Sequence, residues 1–247
     1  MAPNFWCSEE YFINANFQER ELNGALGVFE FDEGLLVFPP LDIDGRLQWP
    51  KGFPDRVWSD FAGFSWAGAE SEFLDFEFLY DPQRFLNMIG GSWMVFRKNS
   101  RKFPARLGQA LTYRRLTEGE MEGALTELLI GWLEEKGEEA EIHDGDLMLD
   151  FALHGENRKA LFDDAGQLWG VNVWDENYQY VNYRYCLCAK EPFLGEYMRL
   201  IFYTDEEILT KGKLINDGGA LDSEPLRVFK EKLNPIRVRE VCGWRKK

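Results

Sequence analysis

The sequence predicts an α/β protein in which a mixed central sheet is flanked by helices. Three observations lead to this prediction. Short runs of alternating apolar and polar residues, rich in Tyr, Val and Phe, indicate strands. Breaks that contain Asp and Gly indicate tight turns between those strands. Segments with apolar residues three and four positions apart indicate helices that pack on one face. Residues 159–203 combine all three features.

Residues 159–203 are predicted to form a meander of strands followed by a helix. The first two strands are joined by a turn at 163–166, which begins with Asp and ends with Gly. A polar break at 175–177 follows, and we expect it to be a solvated hairpin tip. The longest strand is predicted from Tyr178 to about Cys188. Pro192 is expected in the first turn of the next helix, where its missing N–H is not needed.

The N-terminal part of the chain contains a hairpin at 27–39 that turns at 32–34. Residues 57–67 are predicted to be a short amphipathic helix or an irregular aromatic segment. Residues 72–80 alternate imperfectly and are predicted to be a strand, which leads into a short helix at 83–89.

The longest helix is predicted to begin at Thr117 and to end at Gly137, after a strand at 112–116. Thr117 and Glu120 match the S/T-x-x-E capping box, in which each side chain bonds the other residue's backbone N–H. Apolar residues from Met121 to Leu133 then recur on one face.

The C-terminal part is predicted as a short strand, a turn, a helix and a closing strand. The strand covers 214–216 and the exposed turn covers 217–219. The helix is predicted at 226–233, ended by Asn-Pro, and the alternating residues 236–241 form the last strand.

Composition limits the classes of partner. The formal net charge of −15 argues against non-specific binding to nucleic acid or to anionic membranes, which are themselves negative. Residues 97–102 are a local exception, because four of the six are cationic. No apolar run approaches the ~20 residues that cross a bilayer. We therefore expect no membrane span and no bulk nucleic-acid binding.

The cysteines favour a reducing compartment. Four Cys stand at irregular spacing and no leader peptide is recognisable, so we expect free thiols and a cytoplasmic location. Cys186 and Cys188 lie two positions apart in a predicted strand, so their side chains share one face. With two His in the chain, we interpret both thiols as buried small apolar groups and predict no metal site.

Two groups of motifs resemble those of a known family. The first group consists of Phe78-Leu79-Tyr80-Asp81, Gly91, Arg97-Lys98-Asn99 and Phe103. The second consists of Asn216, Leu226-Arg227, Lys230 and Pro235. Their order and spacing are similar to those of the GNAT acyltransferases, in particular the aminoacyl-transferring branch typified by the C-terminal domain of phosphatidylglycerol lysyltransferase. The resemblance extends from about Phe29 to Val241.

This resemblance implies a tandem GNAT-like (acyl-CoA N-acyltransferase) fold with two halves. Residues 1–110 would be a degenerate N-terminal half and residues 111–247 a complete C-terminal half. The implied activity is transfer of an acyl or aminoacyl group to an amine or hydroxyl acceptor. No cofactor is assigned, and acyl-CoA or aminoacyl-tRNA is the implied donor. The alternative is a catalytically inactive GNAT-fold binding module.

The chain departs from the family pattern at two places. Gly218 and Ala220 stand where the family has acidic residues. The pyrophosphate-binding loop before the helix is replaced by residues 189–195, where Pro192 removes an N–H donor and Glu191 adds a negative charge. Both departures favour the inactive alternative.

The candidate substrate-binding residues each have a functional and a structural interpretation. Near residue 97, the cations would bind the phosphates of coenzyme A, of a tRNA acceptor end or of a lipid headgroup, or they form a solvated loop. These cations are Arg97, Lys98, Arg101 and Lys102. The C-terminal group would orient a carboxylate or phosphate, or it consists of a turn-capping Asn and exposed helix cations. One tyrosine of the series Tyr178, Tyr180, Tyr183 and Tyr185 would protonate a leaving thiolate, or all are sheet residues. His154 would be a general base, or a loop residue. The substrate-binding candidates are Arg97, Lys98, Asn99, Tyr183, Asn216, Arg227 and Lys230, and no catalytic residue is assigned.

Overall fold

The computed structural model describes the strands of the N-terminal part as backbone and most of the chain from residue 69 onward in full. The described ranges are 18–22, 25–31, 34–37, 46–48, 56–59, 65–67, 69–116, 122–136, 152–153, 155–176, 179–220 and 223–247. His154, the proposed capping box at Thr117 and Glu120, and the predicted helix end at Gly137 lie outside these residues.

Within those ranges, eleven strands form one mixed sheet in the order β1-β2-β3-β5-β13-β7-β12-β11-β10-β9-β8, and β4 and β6 form a separate parallel pair. The strands are β1 (Gln18–Leu22), β2 (Ala25–Phe31), β3 (Gly34–Val37), β4 (Arg46–Gln48), β5 (Arg56–Ser59), β6 (Ser65–Ala67), β7 (Ala69–Tyr80), β8 (Leu111–Arg115), β9 (Arg158–Asp163), β10 (Leu168–Glu176), β11 (Tyr180–Cys188), β12 (Leu214–Asn216) and β13 (Arg237–Lys246).

Helices pack on both faces of this sheet. They are α1 (Gln83–Asn87), α2 (Met94–Ser100), α3 (Lys102–Leu107), α4 (Glu122–Lys136), α5 (Leu194–Tyr203), α6 (Glu206–Thr210) and α7 (Glu224–Lys232), with a 3-10 turn at Gly91–Trp93. An α/β fold with a mixed sheet and flanking helices is thus confirmed.

Strand β7 lies inside the sheet, between β12 and β13. It pairs antiparallel with β13 from Ala69 to Leu79 and antiparallel with β12 at Leu79 and Tyr80. Strand β13 also pairs with β5 along its other edge. The division into halves at residue 110 stays a prediction, but the two sides of that boundary share strand pairs.

Apolar cores lie on both faces of the sheet. On one face, Trp174 and Tyr183 pack with Phe202 and Tyr203 of α5. On the other face, Val171 and Val173 of β10 pack with apolar residues of α4. Burial of these large side chains is the main force that holds helices and sheet together.

Most elements that the sequence predicts are confirmed. The N-terminal hairpin is present, with Phe31 paired to Gly34. The meander is present as β9, β10 and β11, with Gly166 in the positive-φ conformation that its turn requires. The short strand at 214–216 matches the predicted range, and the last helix and strand lie within a few residues of theirs.

Three local predictions are wrong. Residues 57–67 were predicted to be a short amphipathic helix or an irregular aromatic segment, but 57–59 lie in β5 and 65–67 form β6. A solvated loop was one interpretation of residues 97–102, but 97–100 lie in α2 and Lys102 begins α3. Pro192 precedes α5, which begins at Leu194 after Phe193 at φ 69°.

Two predictions of exposure are also wrong. Asp175 was expected at a solvated hairpin tip, but it is fully buried and paired with Arg184. The turn at 217–219 was expected to be exposed, but Asp217 is buried under α5 and α7. In both places a buried cation compensates the carboxylate, and local sequence does not reveal such a partner.

Candidate functional site

Strands β11 and β12 part after a short parallel pairing. Their registers run from Tyr180 opposite Leu214 to Asn182 opposite Asn216. Beyond Asn182, β11 continues to Cys188 and pairs with β10 on its other edge. In the described part of the chain, no strand covers the edge of β11 that faces away from β10 after this point. From this point on, β11 pairs with β10 alone among the described strands.

A β-bulge at Arg184 lies next to the parting. Val173 is opposite Tyr185 and Trp174 is opposite Tyr183, so Arg184 is the extra residue. Its Nε lies 2.5 Å from Oδ2 of Asp175, and both side chains are buried. A buried ion pair of this geometry fixes the bulge, because removing either partner would leave an uncompensated charge.

Asn182 occupies the last position at which β11 pairs with β12. Its Nδ2 donates to Oδ1 of Asp175 at 2.7 Å. Its Oδ1 is buried and has no hydrogen-bond partner among the described residues. Buried amide oxygens almost always have a donor. This oxygen is therefore an acceptor without a donor at the point where the strands part.

On the α5 face of the sheet, four polar side chains form a buried cluster. Asp217 Oδ2 accepts a hydrogen bond from the Tyr203 hydroxyl at 2.7 Å and from Arg199 Nε at 3.3 Å. Lys230 Nζ lies 3.3 Å from Asp217 Oδ1. Helix α5 thus supplies two of the four groups, and α7 supplies a third.

The charges of this cluster stabilise one another. Burial alone would raise the pKa of Asp217, but Lys230 and Arg199 hold it below its ordinary value. Burial opposes the charge of Arg199, yet the adjacent Asp217 keeps its pKa well above the ordinary value. For Lys230 burial prevails, and the pKa of its ammonium is lowered.

Asn216 and Lys230, two of the candidate residues, are brought together at the turn after β12. Asn216 Oδ1 accepts from the N–H of Gly218 at 3.0 Å, and its Nδ2 donates to Glu77 at 3.2 Å. Lys230 Nζ donates to the carbonyl oxygens of Asp217 and Gly219, the latter at 2.6 Å. Both side chains therefore shape the turn, and their binding of substrate stays a prediction.

Gly219 allows this turn to approach β7. A Cβ atom there would lie 1.9 Å from Asp75 Oδ2 and 2.9 Å from the carbonyl oxygen of Phe76. Asp75 Oδ2 also accepts from the N–H of Ala220 at 2.9 Å. The absence of a side chain at Gly219 is thus a packing requirement.

Tyr183 is buried rather than presented to a ligand. Its hydroxyl donates to Asn172 Oδ1 at 2.5 Å, and its ring stacks on Phe202 with centroids 4.4 Å apart. Burial raises the pKa of the Tyr183 hydroxyl well above its ordinary value. A phenol with that pKa remains protonated at neutral pH, as a proton donor must.

Cys186 lies three positions after Tyr183, on the part of β11 beyond the parting. A hydrogen bond with Cys188 lowers the pKa of the Cys186 thiol to about 7, with Arg199 contributing and burial opposing. Both cysteines are half-buried, and neither forms a disulfide with another described residue. Neither cysteine belongs to a metal-binding group of three or more His, Cys, Asp and Glu side chains, and the described residues contain no such group.

The other candidates lie on separate helices. Arg97, Lys98 and Asn99 are on α2, where Arg97 donates to the carbonyl of Met88 and Asn99 Nδ2 donates to Glu196 of α5 at 3.3 Å. Lys98 is exposed. On α7, the exposed Arg227 pairs with Glu231 at 3.1 Å.

Arg199 and Asp217 were not selected from the sequence. A usable signal exists for Arg199, because it is a single cation among the apolar residues of α5. Asp217 carried no comparable signal, since Asp before Gly is typical of an exposed turn.

The segment before α5 differs from a phosphate-binding loop in the way the sequence indicates. Glu191 pairs with Arg106 of α3. Phe193 precedes the helix with φ 69°, and Glu196 stands in its first turn. Carboxylates at a helix N-terminus compete with a bound phosphate for the same backbone N–H groups.

Comparisons with known proteins concern the fold. No family model matches the sequence, and no curated protein is similar enough to be matched. A conserved protein of unknown function from Bacteroides thetaiotaomicron superposes with a TM-score of 0.70 at 13% identity, covering 96% of this chain and 88% of that one. L-PGS from Bacillus licheniformis gives a TM-score of 0.56 at 15% identity, covering 90% and 80%. The C-terminal domain of a putative lysylphosphatidylglycerol synthetase from Agrobacterium fabrum gives 0.52 at 17% identity, covering 73% and 63%.

The chain has a GNAT-like fold. At these identities the likeness concerns the fold alone, so activity has to be argued from the site. In this GNAT-like fold, the parted strands β11 and β12 lie beside α5 and its buried cluster. Among the described residues, no helix combines the length and apolar character needed to cross a bilayer.

Proposed function

We propose that this protein is a transferase that moves an acyl or aminoacyl group to an amine or hydroxyl acceptor. The observation that carries the proposal is the parting of β11 and β12 after Asn182 and Asn216. An uncovered strand edge offers backbone N–H and C=O groups in a fixed row. Such a row can bind an extended amide-containing donor as an added strand would.

The geometry of the parting suits group transfer. The donor's carbonyl would lie against the backbone of β11, whose N–H groups would stabilise the oxyanion that forms on attack. Rate acceleration would come mainly from holding donor and acceptor in position. The bulge at Arg184, fixed by its pair with Asp175, re-aims this strand beside the parting.

Asn182 supports the proposal independently. Its buried Oδ1 has no donor in the described structure. An N–H of the acceptor amine or of the donor would satisfy it. Because an orphaned buried acceptor is costly, a bound ligand that supplies the hydrogen bond would gain affinity.

The donor is tested by ligand-induced thermal stabilisation. Acetyl-CoA, longer acyl-CoAs and free coenzyme A are compared, and we expect an acyl-CoA to raise the melting temperature. Aminoacylated tRNA is tested by gel shift at low salt, with Arg97→Ala and Lys98→Ala as variants. Failure of every donor to bind, or tRNA binding that neither variant changes, would contradict the corresponding donor assignment.

The location of the site is tested with a matched pair of variants. Arg199→Gln removes the cation beside the parting, and Arg227→Gln removes an exposed cation on α7. We expect the first to weaken donor-induced stabilisation and the second to leave it unchanged. Equal responses of the two variants would place the donor elsewhere.

A second candidate function is a GNAT-fold binding module without catalysis. It is favoured by the residues before α5, where Glu191 and Glu196 stand near the helix N-terminus that would hold a pyrophosphate. Binding of an acyl-CoA without release of coenzyme A in the presence of amine acceptors would support this alternative.

A further inference from the structure

Residues 82–116 form a basic segment in an acidic protein. This segment contains eight Lys or Arg residues and no Asp or Glu. The chain as a whole has 28 cations and 43 acids, so the remaining residues have 20 cations and 43 acids, a net charge of −23. The cations of the segment are Arg84, Arg97, Lys98, Arg101, Lys102, Arg106, Arg114 and Arg115. The sign of the charge is thus reversed over one continuous stretch.

The same segment exposes four large aliphatic side chains, which we call the apolar tip. Their exposed fractions are 82% for Ile89, 61% for Met94, 56% for Val95 and 51% for Leu86. They lie on α1, on the start of α2 and on the loop between these helices. Several large apolar groups exposed so close together indicate an interaction surface.

Cations adjoin the apolar tip on α2. Met94 and Lys98 lie in α2, and Arg101 follows its last residue with helical backbone angles. The three are spaced by four and three positions, so they share one side of the helical stretch. Lys98 and Arg101 are exposed. Neither forms an ion pair within the described ranges, so both charges are free to meet an external anion.

We propose that the apolar tip, together with Lys98 and Arg101, docks this protein on an anionic phospholipid surface. The aliphatic side chains would enter the boundary between headgroups and acyl chains, and Lys98 and Arg101 would contact lipid phosphates. The negative charge of the remaining chain would be repelled from the same surface. Only the basic segment could then approach, which fixes the orientation of the bound protein.

A lipid surface fits these side chains better than an RNA does. Proteins bind unpaired RNA bases by stacking aromatic rings on them. The aromatic side chains in this stretch, Trp93 and Phe96, are buried with exposed fractions of 2% and 4%. The exposed apolar side chains of this surface are aliphatic, and their transfer from water to an acyl-chain boundary is favourable in free energy. This inference does not depend on transferase activity.

The test is flotation of the full chain with vesicles of three compositions. They are phosphatidylcholine alone, phosphatidylcholine with phosphatidylserine, and phosphatidylcholine with phosphatidylglycerol. We expect binding to both anionic mixtures at low salt, weak binding to phosphatidylcholine, and loss of binding as salt is raised. Similar binding to the two anionic lipids is expected, because the surface recognises charge and an apolar boundary.

Two double variants separate the apolar and ionic contributions. Ile89→Ser/Met94→Ser and Lys98→Glu/Arg101→Glu are each expected to lower the vesicle-bound fraction at least about tenfold. Lys232→Glu/Lys247→Glu is the control, because it changes net charge by the same amount at exposed positions outside the segment. All substituted side chains are exposed, and unfolding curves check that the variants fold.

Three outcomes would overturn the proposal. The first is no anionic-vesicle binding above that of phosphatidylcholine at low salt. The second is tRNA binding that Lys98→Glu/Arg101→Glu abolishes while Ile89→Ser/Met94→Ser leaves it intact. The third is a concentration-dependent dimer that Ile89→Ser/Met94→Ser dissociates, which would show that the apolar tip binds a second copy of the chain.

Discussion

Asp217 is the single anion on which the buried cluster beneath α5 and α7 depends. It contacts Arg199, Tyr203 and Lys230, and two of these three are cations. A buried pair adds little net stability over an apolar replacement, but the loss of one partner is severe because the other charge stays buried. The residue therefore has a structural role whatever the protein binds.

Asp217→Asn is expected to lower the free energy of unfolding by about 3–5 kcal/mol, because Arg199 and Lys230 would lose their counter-ion. The control is Glu231→Gln, which breaks the exposed pair with Arg227 and should cost only about 0.5 kcal/mol. Urea unfolding at neutral pH measures both. Equal effects of the two substitutions would contradict the assigned role.

The same carboxylate makes stability depend on acid pH. Its pKa is lowered in the folded state, so ionised Asp217 stabilises the protein above its ordinary pKa of 3.8, and this contribution is lost as pH falls through the folded pKa. Asp217→Asn should therefore flatten the fall in stability below about pH 4. An unchanged slope in that range would show that other carboxylates account for it.

Cys186 is expected to react as a thiolate near neutral pH. Its rate of alkylation should rise with a midpoint at about 7, since the hydrogen bond with Cys188 and the charge of Arg199 favour the anion. Cys188→Ala should move the midpoint upward, and Cys186→Ser identifies the reacting thiol. A midpoint of about 8.5 in the unmodified chain would show an ordinary thiol.

At the scale of elements, the sequence predicted strands and turns better than it predicted burial. The meander β9–β11 was predictable because turn residues and alternating side chains coincide there. The strands β5 and β6 were not predictable, because the aromatic residues of 57–67 recur at intervals typical of a helix and also at intervals typical of a strand. Propensity is a weak guide where sheet pairing with distant strands decides the conformation.

The candidate site was even less predictable from local sequence than the strands were. The motif residues Asn216 and Lys230 do converge, but on the turn after β12. The parting of β11 and β12 could not be inferred, because it depends on how far two strands distant in sequence stay paired. Arg199 and Asp175 became interpretable only with their partners in place.

Gly219 and Gly195 should respond in opposite ways to an added methyl group. Gly219→Ala would displace Asp75 and weaken its bond to the N–H of Ala220, at a cost of about 2 kcal/mol or more. Gly195→Ala has open space on α5 and should stabilise by about 0.5–1 kcal/mol, because alanine favours helix. Thermal unfolding distinguishes them, and tolerance at Gly219 would contradict the packing described here.

At the scale of the whole molecule, β7 connects the two sides of the proposed boundary at residue 110. It forms ten register pairs with β13 and two with β12. Its side chains Phe78 and Tyr80 are fully buried in the core that α5 covers. The C-terminal part thus obtains an internal strand from the N-terminal part. Loss of an internal strand opens two edges at once and exposes apolar surface.

A fragment of residues 111–247 is therefore expected not to unfold cooperatively by itself. A fragment of residues 69–247 retains β7, whose pairs with β12 and β13 close the sheet, so we expect cooperative thermal unfolding from it. Adding separately expressed 1–110 to 111–247 should restore the transition, because it supplies the missing strand. Circular dichroism during heating follows all three samples. A cooperative transition in 111–247 alone would show that its core is stable without β7. It would also show that the pairs of β7 with β12 and β13 contribute little to folding.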